Sequence, residues 1–280
     1  MIPQQGNNLD PWYDSYAERT AGLAASEVRA LFAVASRPEV VSLAGGMPYV
    51  SALPDELLHT AVGRAVRDQG PVALQYGSGQ GVPRLREQIL EVMALEGIRA
   101  SVDDVVVTTG SQHALELMAK LFLDPGDVVI AEGPSYVTAI TVFKSFQAEI
   151  VHVEMDEGGL VPEALRATIA RLRDAGRRIK LLYTVPTFHN PMGVTLSWQR
   201  RVEVLEIARD AGILVLEDNP YGLLYFDQAP PQAMRSVEEE GIVYLGTFSK
   251  TLAPGLRVGW ALAPHAIREK LVLANEAAVL

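Results

Sequence analysis

Two hydrophobic patterns alternate along most of the chain and predict an α/β architecture. Stretches with apolar residues every three or four positions are typical of amphipathic helices, and short runs of Val, Ile and Leu are typical of buried strands. From Leu53 onward these two patterns take turns. Several strand runs are apolar almost without interruption, which favours a mostly parallel central sheet with helices on both faces. We therefore expect a three-layer sandwich.

The predicted strands and helices follow these patterns. The strands are expected at 105–108, 128–132, 149–153, 179–184, 213–218, 243–247 and 258–263. The helices between them are expected at 54–68, 83–96, 111–123, 135–146, 162–175 and 197–211. A last amphipathic stretch, 265–280, runs to the final residue without the Gly, Asn or Pro that usually follows a helix.

The first fifty residues do not alternate in this way. Residues 1–20 are polar and rich in Gln, Asn and Pro, which predicts an extended or mobile arm. Ser26 is a candidate N-cap for a helix at 27–36. The predicted organisation has three parts, namely an N-terminal arm and helix at 1–52, a large domain at 53–264 and the start of a further helix at 265–280.

Composition narrows the class of protein. A chain of 280 residues with 49% hydrophobic and 21% charged residues is typical of a folded globular protein. A net charge of −10 and scattered basic residues disfavour nucleic-acid binding. The absence of cysteine excludes disulfides, thiolate metal sites and cysteine nucleophiles, and the histidines show no metal-ligand spacing. With no signal-like N-terminus and no run of about 18 apolar residues, we expect a cytoplasmic protein without a membrane span.

The segment around Lys250 has the chemistry of a site for a phosphorylated aldehyde. A lysine amine can form a Schiff base with an aldehyde, and it can later act as an acid or base. The hydroxyls of Thr247 and Ser249 and the planar fork of Arg257 can hold a phosphate. The candidate cofactor is pyridoxal 5′-phosphate. The alternative for Lys250 is a surface lysine in a loop.

Two other turns fit the same cofactor. The apolar strand 213–218 ends in Asp218, where a carboxylate can pair with a protonated pyridine nitrogen. The alternative for this acid is an ordinary cap for nearby backbone N–H groups. Ser111 and Gln112 begin a predicted helix directly after a strand, so free N–H groups and the helix dipole favour a phosphate there.

Six short segments resemble motifs of one family, the fold-type I pyridoxal-phosphate aminotransferases of class I/II. The resemblance extends to the branch with 2-aminoadipate and kynurenine aminotransferases. Six motifs in the family's order, over roughly positions 40 to 264, make coincidence a poor explanation. The segments are 42–48, 74–77, 109–112, 190–193, 218–221 and 249–250. The resemblance implies the fold-type I large domain.

The resemblance also implies roles for individual cofactor-site residues. Asn190 and Tyr221 would hydrogen-bond the phenolic oxygen of the cofactor. Tyr136 would stack on its ring, with a core or interface tyrosine as the alternative. Tyr76 would reach the phosphate of a neighbouring subunit, which makes a homodimer the expected assembly. His189 stands where many relatives have glutamine, and we favour a packing or polar supporting role for it.

Substrate recognition rests on fewer residues. Gly45 and Gly46 would let the backbone approach a substrate closely, with an ordinary loop as the alternative. Arg29 matches an arginine that contacts the distal carboxylate in some aminoadipate-type relatives, with an exposed helix arginine as the alternative. The family's C-terminal small domain, which supplies an arginine for the substrate α-carboxylate, is expected to be missing here. That expectation leaves the activity of the chain open.

The predicted function is amino-group transfer between an L-amino acid and a 2-oxo acid. 2-Aminoadipate, glutamate and aromatic or branched-chain amino acids are the candidate substrates. One alternative is another pyridoxal-phosphate enzyme, such as a lyase or decarboxylase, because the cofactor site is shared among these reactions. The other is an inactive or ligand-sensing aminotransferase-like module.

Overall fold

The fold is built on one eight-stranded sheet, seen in a computed structural model that describes residues 10–22, 34, 37, 39–41 and 46–279. The strands are β1 (Val105–Thr108), β2 (Val128–Gly133), β3 (Glu149–Asp156), β4 (Gly159–Leu160), β5 (Ile179–Thr184), β6 (Leu214–Asp218), β7 (Ile242–Thr247) and β8 (Gly259–Leu262). The α-helices are α1 (Asp55–Ala73), α2 (Pro83–Ala94), α3 (Ser111–Phe122), α4 (Val137–Ser145), α5 (Pro162–Asp174), α6 (Trp198–Asp210) and α7 (His265–Val279).

The strand order confirms the mostly parallel sheet. Along the sheet the order is β1-β8-β7-β6-β5-β2-β3-β4. The five strands from β7 to β3 are parallel, whereas β8 runs antiparallel between β1 and β7. The two-residue strand β4, antiparallel to β3, was not predicted because a segment that short has no readable period.

Helices cover both faces of the sheet, which confirms the three-layer sandwich. Helices α3, α4 and α7 pack on one face, where Val106, Leu181 and Leu216 are buried. Helices α5 and α6 pack on the other, over Leu182 and Val215. Helix α2 extends that second layer over β1, β7 and β8.

Successive side chains of β6 point to opposite faces of the sheet, so the two acids at its end lie in different layers. Leu216 and Asp218 point to the face covered by α3 and α4, since Asp218 bonds to Tyr183 in the same layer. Glu217 points to the other face of the sheet, and it is paired with Tyr244 in the register of β6 and β7. The sheet thus delivers one acid to each face at its carboxyl edge.

The helix predicted at 54–68 is longer in the structure. Helix α1 passes a non-helical residue, Gln69, with φ of −134°, and includes Pro71. The proline is tolerated because it follows this kink, where its missing N–H costs no regular helical bond. Of the N-terminal arm, residues 13–15 and 18–22 form 3₁₀ turns, while Ser26 and most of the helix predicted at 27–36 lie outside the described residues.

Candidate active site

The predicted site residues converge at the carboxyl edge of the parallel strands. Asp218 ends β6, and Lys250 follows β7. Asn190 follows β5, and Tyr136 follows β2. Because parallel strands end at the same edge, loops that are far apart in sequence meet there, as in other open α/β sheets. Among the described residues, no group of His, Asp or Glu could hold a metal ion.

Asp218 is buried and only half satisfied by hydrogen bonds. Its side chain is 3% exposed, and its Oδ2 accepts a hydrogen bond of 2.7 Å from the Tyr183 hydroxyl. Its Oδ1 is buried without a hydrogen-bond partner. Burial raises the pKa of the Asp218 carboxyl to about 6, although the bond from Tyr183 acts in the opposite direction. A buried acceptor with these properties suits a cationic N–H donor.

Lys250 is half-buried and lies against the segment that precedes α1. Its Nζ donates a hydrogen bond of 2.9 Å to the carbonyl of Gly46. Burial lowers the pKa of the Lys250 amine. A lowered pKa increases the fraction of neutral amine, which is the form that attacks an aldehyde. Gly46 itself has a φ of +55°, a conformation that favours glycine.

Hydroxyls organise the turn that carries Lys250. The Thr247 Oγ1 lies 2.9 Å from the Ser249 Oγ and accepts a hydrogen bond of 3.1 Å from the Ser249 backbone N–H. It also donates to the carbonyl of Val258 at 3.1 Å. Thr247 therefore stabilises the turn, and the Ser249 hydroxyl lies next to Thr247, one residue before Lys250.

Arg257 lies beside the N-terminus of α3. Its Nη2 donates to the carbonyl of Thr109 at 3.1 Å. A Cβ on Gly110 would lie 2.5 Å from this Nη2, and a Cβ on Gly259 would lie 2.5 Å from the Ser111 backbone N. Two glycines thus allow the guanidinium and strand β8 to approach the first turn of α3. An arginine beside a helix N-terminus is an arrangement that favours an anion.

Tyr136 and Tyr221 lie within range of the Asp218 charge, and Asn190 lies next to Tyr221. The Asn190 side-chain Nδ2 lies 3.4 Å from the Tyr221 hydroxyl. Burial raises the pKa values of Tyr136 and Tyr221, and the charge of Asp218 raises both further. The charge of Arg257 lowers the pKa of Tyr136. Tyr136 is therefore close enough to both Asp218 and Arg257 for their charges to act on its hydroxyl.

The other predicted residues have mixed positions. Gln112 is exposed in the first turn of α3. Tyr76 is 81% exposed and lines an open cleft of about 790 Å³ together with Thr109 and Arg257 of its own chain. Arg29 and Gly45 lie outside the described residues, so their predicted contacts stay predictions.

Sequence reasoning missed the Tyr183 hydroxyl. Its signal was a tyrosine within an apolar strand, because a buried hydroxyl usually has a partner. The expected supporting role of His189 agrees with its position, 3.1 Å through Nε2 from the buried Glu132 Oε2. That carboxylate also accepts hydrogen bonds of 2.8 Å from the Thr184 hydroxyl and the Val185 N–H. Glu132 thereby holds the loop that leads to Asn190.

Comparison with known proteins assigns the chain to a family. The chain belongs to the aminotransferase class I and II family, whose model matches residues 40–278. It is 39% identical over 268 residues to aromatic-amino-acid aminotransferase 1 of Thermococcus litoralis, covering 94% of this chain and 64% of that relative. The chain therefore spans less than two thirds of that relative's length.

Solved structures agree with this assignment. A kynurenine aminotransferase from Pyrococcus horikoshii superposes with a TM-score of 0.89 at 34% identity, over 97% of this chain and 68% of its own. An α-aminoadipate aminotransferase from Thermus thermophilus was solved with N-(5′-phosphopyridoxyl)-L-leucine. It superposes with a TM-score of 0.86 at 34% identity, over 96% of this chain and 66% of its own. The predicted resemblance and fold type are confirmed, and the family match and the phosphopyridoxyl ligand of the Thermus structure support the predicted cofactor, pyridoxal 5′-phosphate.

Proposed function

We propose that the protein is a pyridoxal-phosphate-dependent aminotransferase that moves an amino group between an L-amino acid and a 2-oxo acid. The observation that carries this proposal is the unpartnered Oδ1 of buried Asp218, at the same edge of the sheet as the half-buried amine of Lys250, which follows the neighbouring strand. An acid that lacks a cationic donor and an amine with a lowered pKa are the two groups that a pyridine aldehyde requires.

Different residues of the site would bind different parts of the cofactor. Asp218 would accept a hydrogen bond from the ring nitrogen, and Tyr183 would hold the acid in place. Asn190 and Tyr221 would bind the phenolic oxygen. Tyr136 would cover the ring. The phosphate would be bound by the remaining set, namely Ser111, Gln112, Thr247, Ser249, Arg257 and, from a neighbouring subunit, Tyr76.

Lys250 would carry the proton. When bound, pyridoxal phosphate supplies an electron sink for charge that develops at the substrate Cα. Lys250 would take the proton from that carbon as a neutral amine and return it as an acid. Burial favours the neutral form by lowering the pKa of this amine, and the bond to the Gly46 carbonyl keeps it at one edge of the site.

Substrate choice is proposed at the level of class. The relatives described above are named for aromatic amino acids, kynurenine and α-aminoadipate, which supports an aromatic amino acid or 2-aminoadipate as one substrate. Glutamate and branched-chain amino acids stay candidates from the family resemblance. Arg29, Gly45 and Gly46 stay the candidate substrate contacts. A homodimer and a cytoplasmic location are further proposals, the first supported by exposed apolar residues on α1.

The decisive experiment is a half-reaction with the cofactor-loaded protein. Adding glutamate without an acceptor should release about one 2-oxoglutarate per site, because a transaminase stops after the first amino transfer. Lys250→Ala should abolish this release, whereas Lys120→Ala, an exposed lysine at the far end of α3, should not change it.

Other results would assign a different function. Release of carbon dioxide would indicate a decarboxylase, and continuous release of ammonia would indicate a lyase. Borohydride trapping of the cofactor on Lys250 without product from any of the candidate amino acids would favour a ligand-sensing or inactive module. Absence of trapped cofactor would contradict the assignment of Lys250.

A further inference from the structure

The loop that carries the proposed cofactor ligands is anchored from the opposite face of the sheet. Asp218 points to the site, but its neighbours Glu217 and Asn219 point away from it. Glu217 accepts hydrogen bonds of 2.8 Å from the backbone N–H groups of Met234 and Arg235. Two polar side chains on the far face thus flank the acid on the near face.

Asn219 is anchored by Glu96, from the turn after α2. The Asn219 side chain is 5% exposed, and its Nδ2 donates a hydrogen bond of 2.6 Å to the Glu96 Oε1. The Glu96 Oε2 accepts a hydrogen bond of 2.5 Å from the Tyr244 hydroxyl in β7. One carboxylate therefore links α2, the turn after β6 and the strand that leads to Lys250.

The same carboxylate packs against the backbone of the turn. Gly222 has no space for a side chain, because a Cβ there would collide with the Glu96 Oε1. Gly222 directly follows Tyr221. Glu96 therefore contacts the turn at Asn219 and at Gly222, on either side of Tyr221 and close to Asp218.

Glu96 is a costly group at this position. Burial raises the pKa of its carboxyl, while the bonds from Tyr244 and Asn219 and the charge of Arg201 lower it. A partly buried carboxylate destabilises a fold unless hydrogen bonds compensate, and an apolar residue of similar volume would avoid that cost. What the carboxylate provides is a fixed geometry for two donors, one in the turn after β6 and one in β7.

We propose that Glu96 is a positioning residue, which fixes the turn 218–222 and thereby sets Asp218 and Tyr221 toward the cofactor. It touches neither residue's functional atoms. This inference rests on the proposed function only for the identity of the ligand. The anchoring itself is a property of the protein without cofactor.

The first test uses the cofactor-free protein. Glu96→Ala should increase hydrogen exchange of the backbone amides in 219–224 by about tenfold or more. In the wild-type protein the turn must break its bonds to Glu96 before it opens, and in the variant it does not. Glu96→Gln keeps an oxygen acceptor for Asn219, so its exchange rates in this turn should stay close to those of the wild-type protein. Asn219→Ala should loosen the turn as Glu96→Ala does, and the double variant should add little.

The second test uses the loaded protein and a matched buried acid. Glu96→Ala should weaken pyridoxal-phosphate affinity about tenfold and shift the pH midpoint of the cofactor's visible absorption, with Glu96→Gln restoring both. Asp127→Asn is the control: this acid is fully buried beside Arg178 before β2, far from the carboxyl edge. It should lower stability while leaving affinity and midpoint unchanged.

Two results would overturn the inference. One is unchanged exchange of 219–224 in both Glu96→Ala and Asn219→Ala. The other is a loosened turn with wild-type cofactor affinity and midpoint. Failure of the wild-type protein to bind pyridoxal phosphate would instead contradict the proposed function, and the exchange experiment would still decide whether Glu96 anchors the turn.

Discussion

Asp218 combines a destabilising environment with the role proposed for it. Its carboxyl is buried, one oxygen lacks a partner, and burial raises its pKa to about 6 from an ordinary 3.8. Such a group favours the folded state only while it is protonated. That contribution is complete below about pH 3.8 and is lost as the pH rises through about 6. At neutral pH the cofactor-free protein therefore holds an unfavourable charge at the position proposed to bind the ring N–H of the cofactor.

Asp218→Asn should therefore stabilise the cofactor-free protein at neutral and alkaline pH. Asparagine keeps an acceptor for Tyr183 and removes the charge, so the free energy of unfolding should rise by about 2 kcal/mol near pH 8. The gain should disappear near pH 4, where Asp218 is protonated. Urea unfolding at both pH values measures it, with Asp210→Asn, an exposed acid in α6, as the control. A gain independent of pH would contradict this account.

The same substitution should weaken cofactor binding. An asparagine cannot offer a negative charge to a protonated ring nitrogen, so the loaded variant should lose the extra stability that wild type gains with pyridoxal phosphate. Melting temperatures with and without cofactor measure this difference. Equal stabilisation of both proteins by the cofactor would argue against the proposed contact.

The N-terminus of α3 depends on the close approach of β8. A Cβ on Gly259 would meet the backbone of Gly110 and Ser111, whereas Gly255 has open space around it. Gly259→Ala should push the strand from the helix, weaken pyridoxal-phosphate affinity about tenfold or more, and cost about 1–3 kcal/mol of stability. Gly255→Ala is the matched control and should bind normally. Titration of both variants with the cofactor distinguishes these outcomes, and equal affinities would show that the approach of β8 does not shape the proposed phosphate site.

The whole molecule presents an apolar surface on α1 and the segment before it. Tyr49 is 80% exposed, and on α1 the exposed fractions are 58% for Leu57, 64% for Val62 and 52% for Val66. Apolar patches of this kind mark interfaces. Tyr76 follows the same helix and is exposed in the cleft beside Arg257. A second copy against α1 would cover both the patch and the mouth of this cleft.

Val62→Glu should therefore dissociate the proposed homodimer. A charge placed in a buried apolar interface costs several kcal/mol, enough to shift the mass measured by light scattering from dimer to monomer. Thr60→Glu adds the same charge to another side of α1 and should leave the mass unchanged. Cofactor affinity should fall only in the first variant if the partner supplies Tyr76. A monomeric wild-type protein, or a dimeric Val62→Glu, would contradict the proposal.

Local sequence determined the secondary structure because periodicity and turn chemistry are local properties. Strands β1 and β5 begin and end where the apolar runs predicted, and the helices from α2 to α6 lie within a few residues of their predicted bounds. The same local signals identified Lys250 and Asp218, since each follows a buried strand. The small hydroxyl and glycine turns around them identified the cofactor class.

Contacts between distant residues were decided by the tertiary structure. Strand β8 pairs antiparallel to β7, and the two-residue strand β4 pairs antiparallel to β3. The hydrophobic pattern of the sequence shows neither feature, because strand direction and very short strands have no periodic signal. Tyr183 and Asp218 are 35 positions apart, and Glu96 and Tyr244 are 148 apart. No local pattern encodes which buried hydroxyl meets which carboxylate, because only packing the layers together removes water from both. The sequence by itself therefore determined the elements and named the candidate reactive residues, and the folded chain decided which groups hold those residues in place.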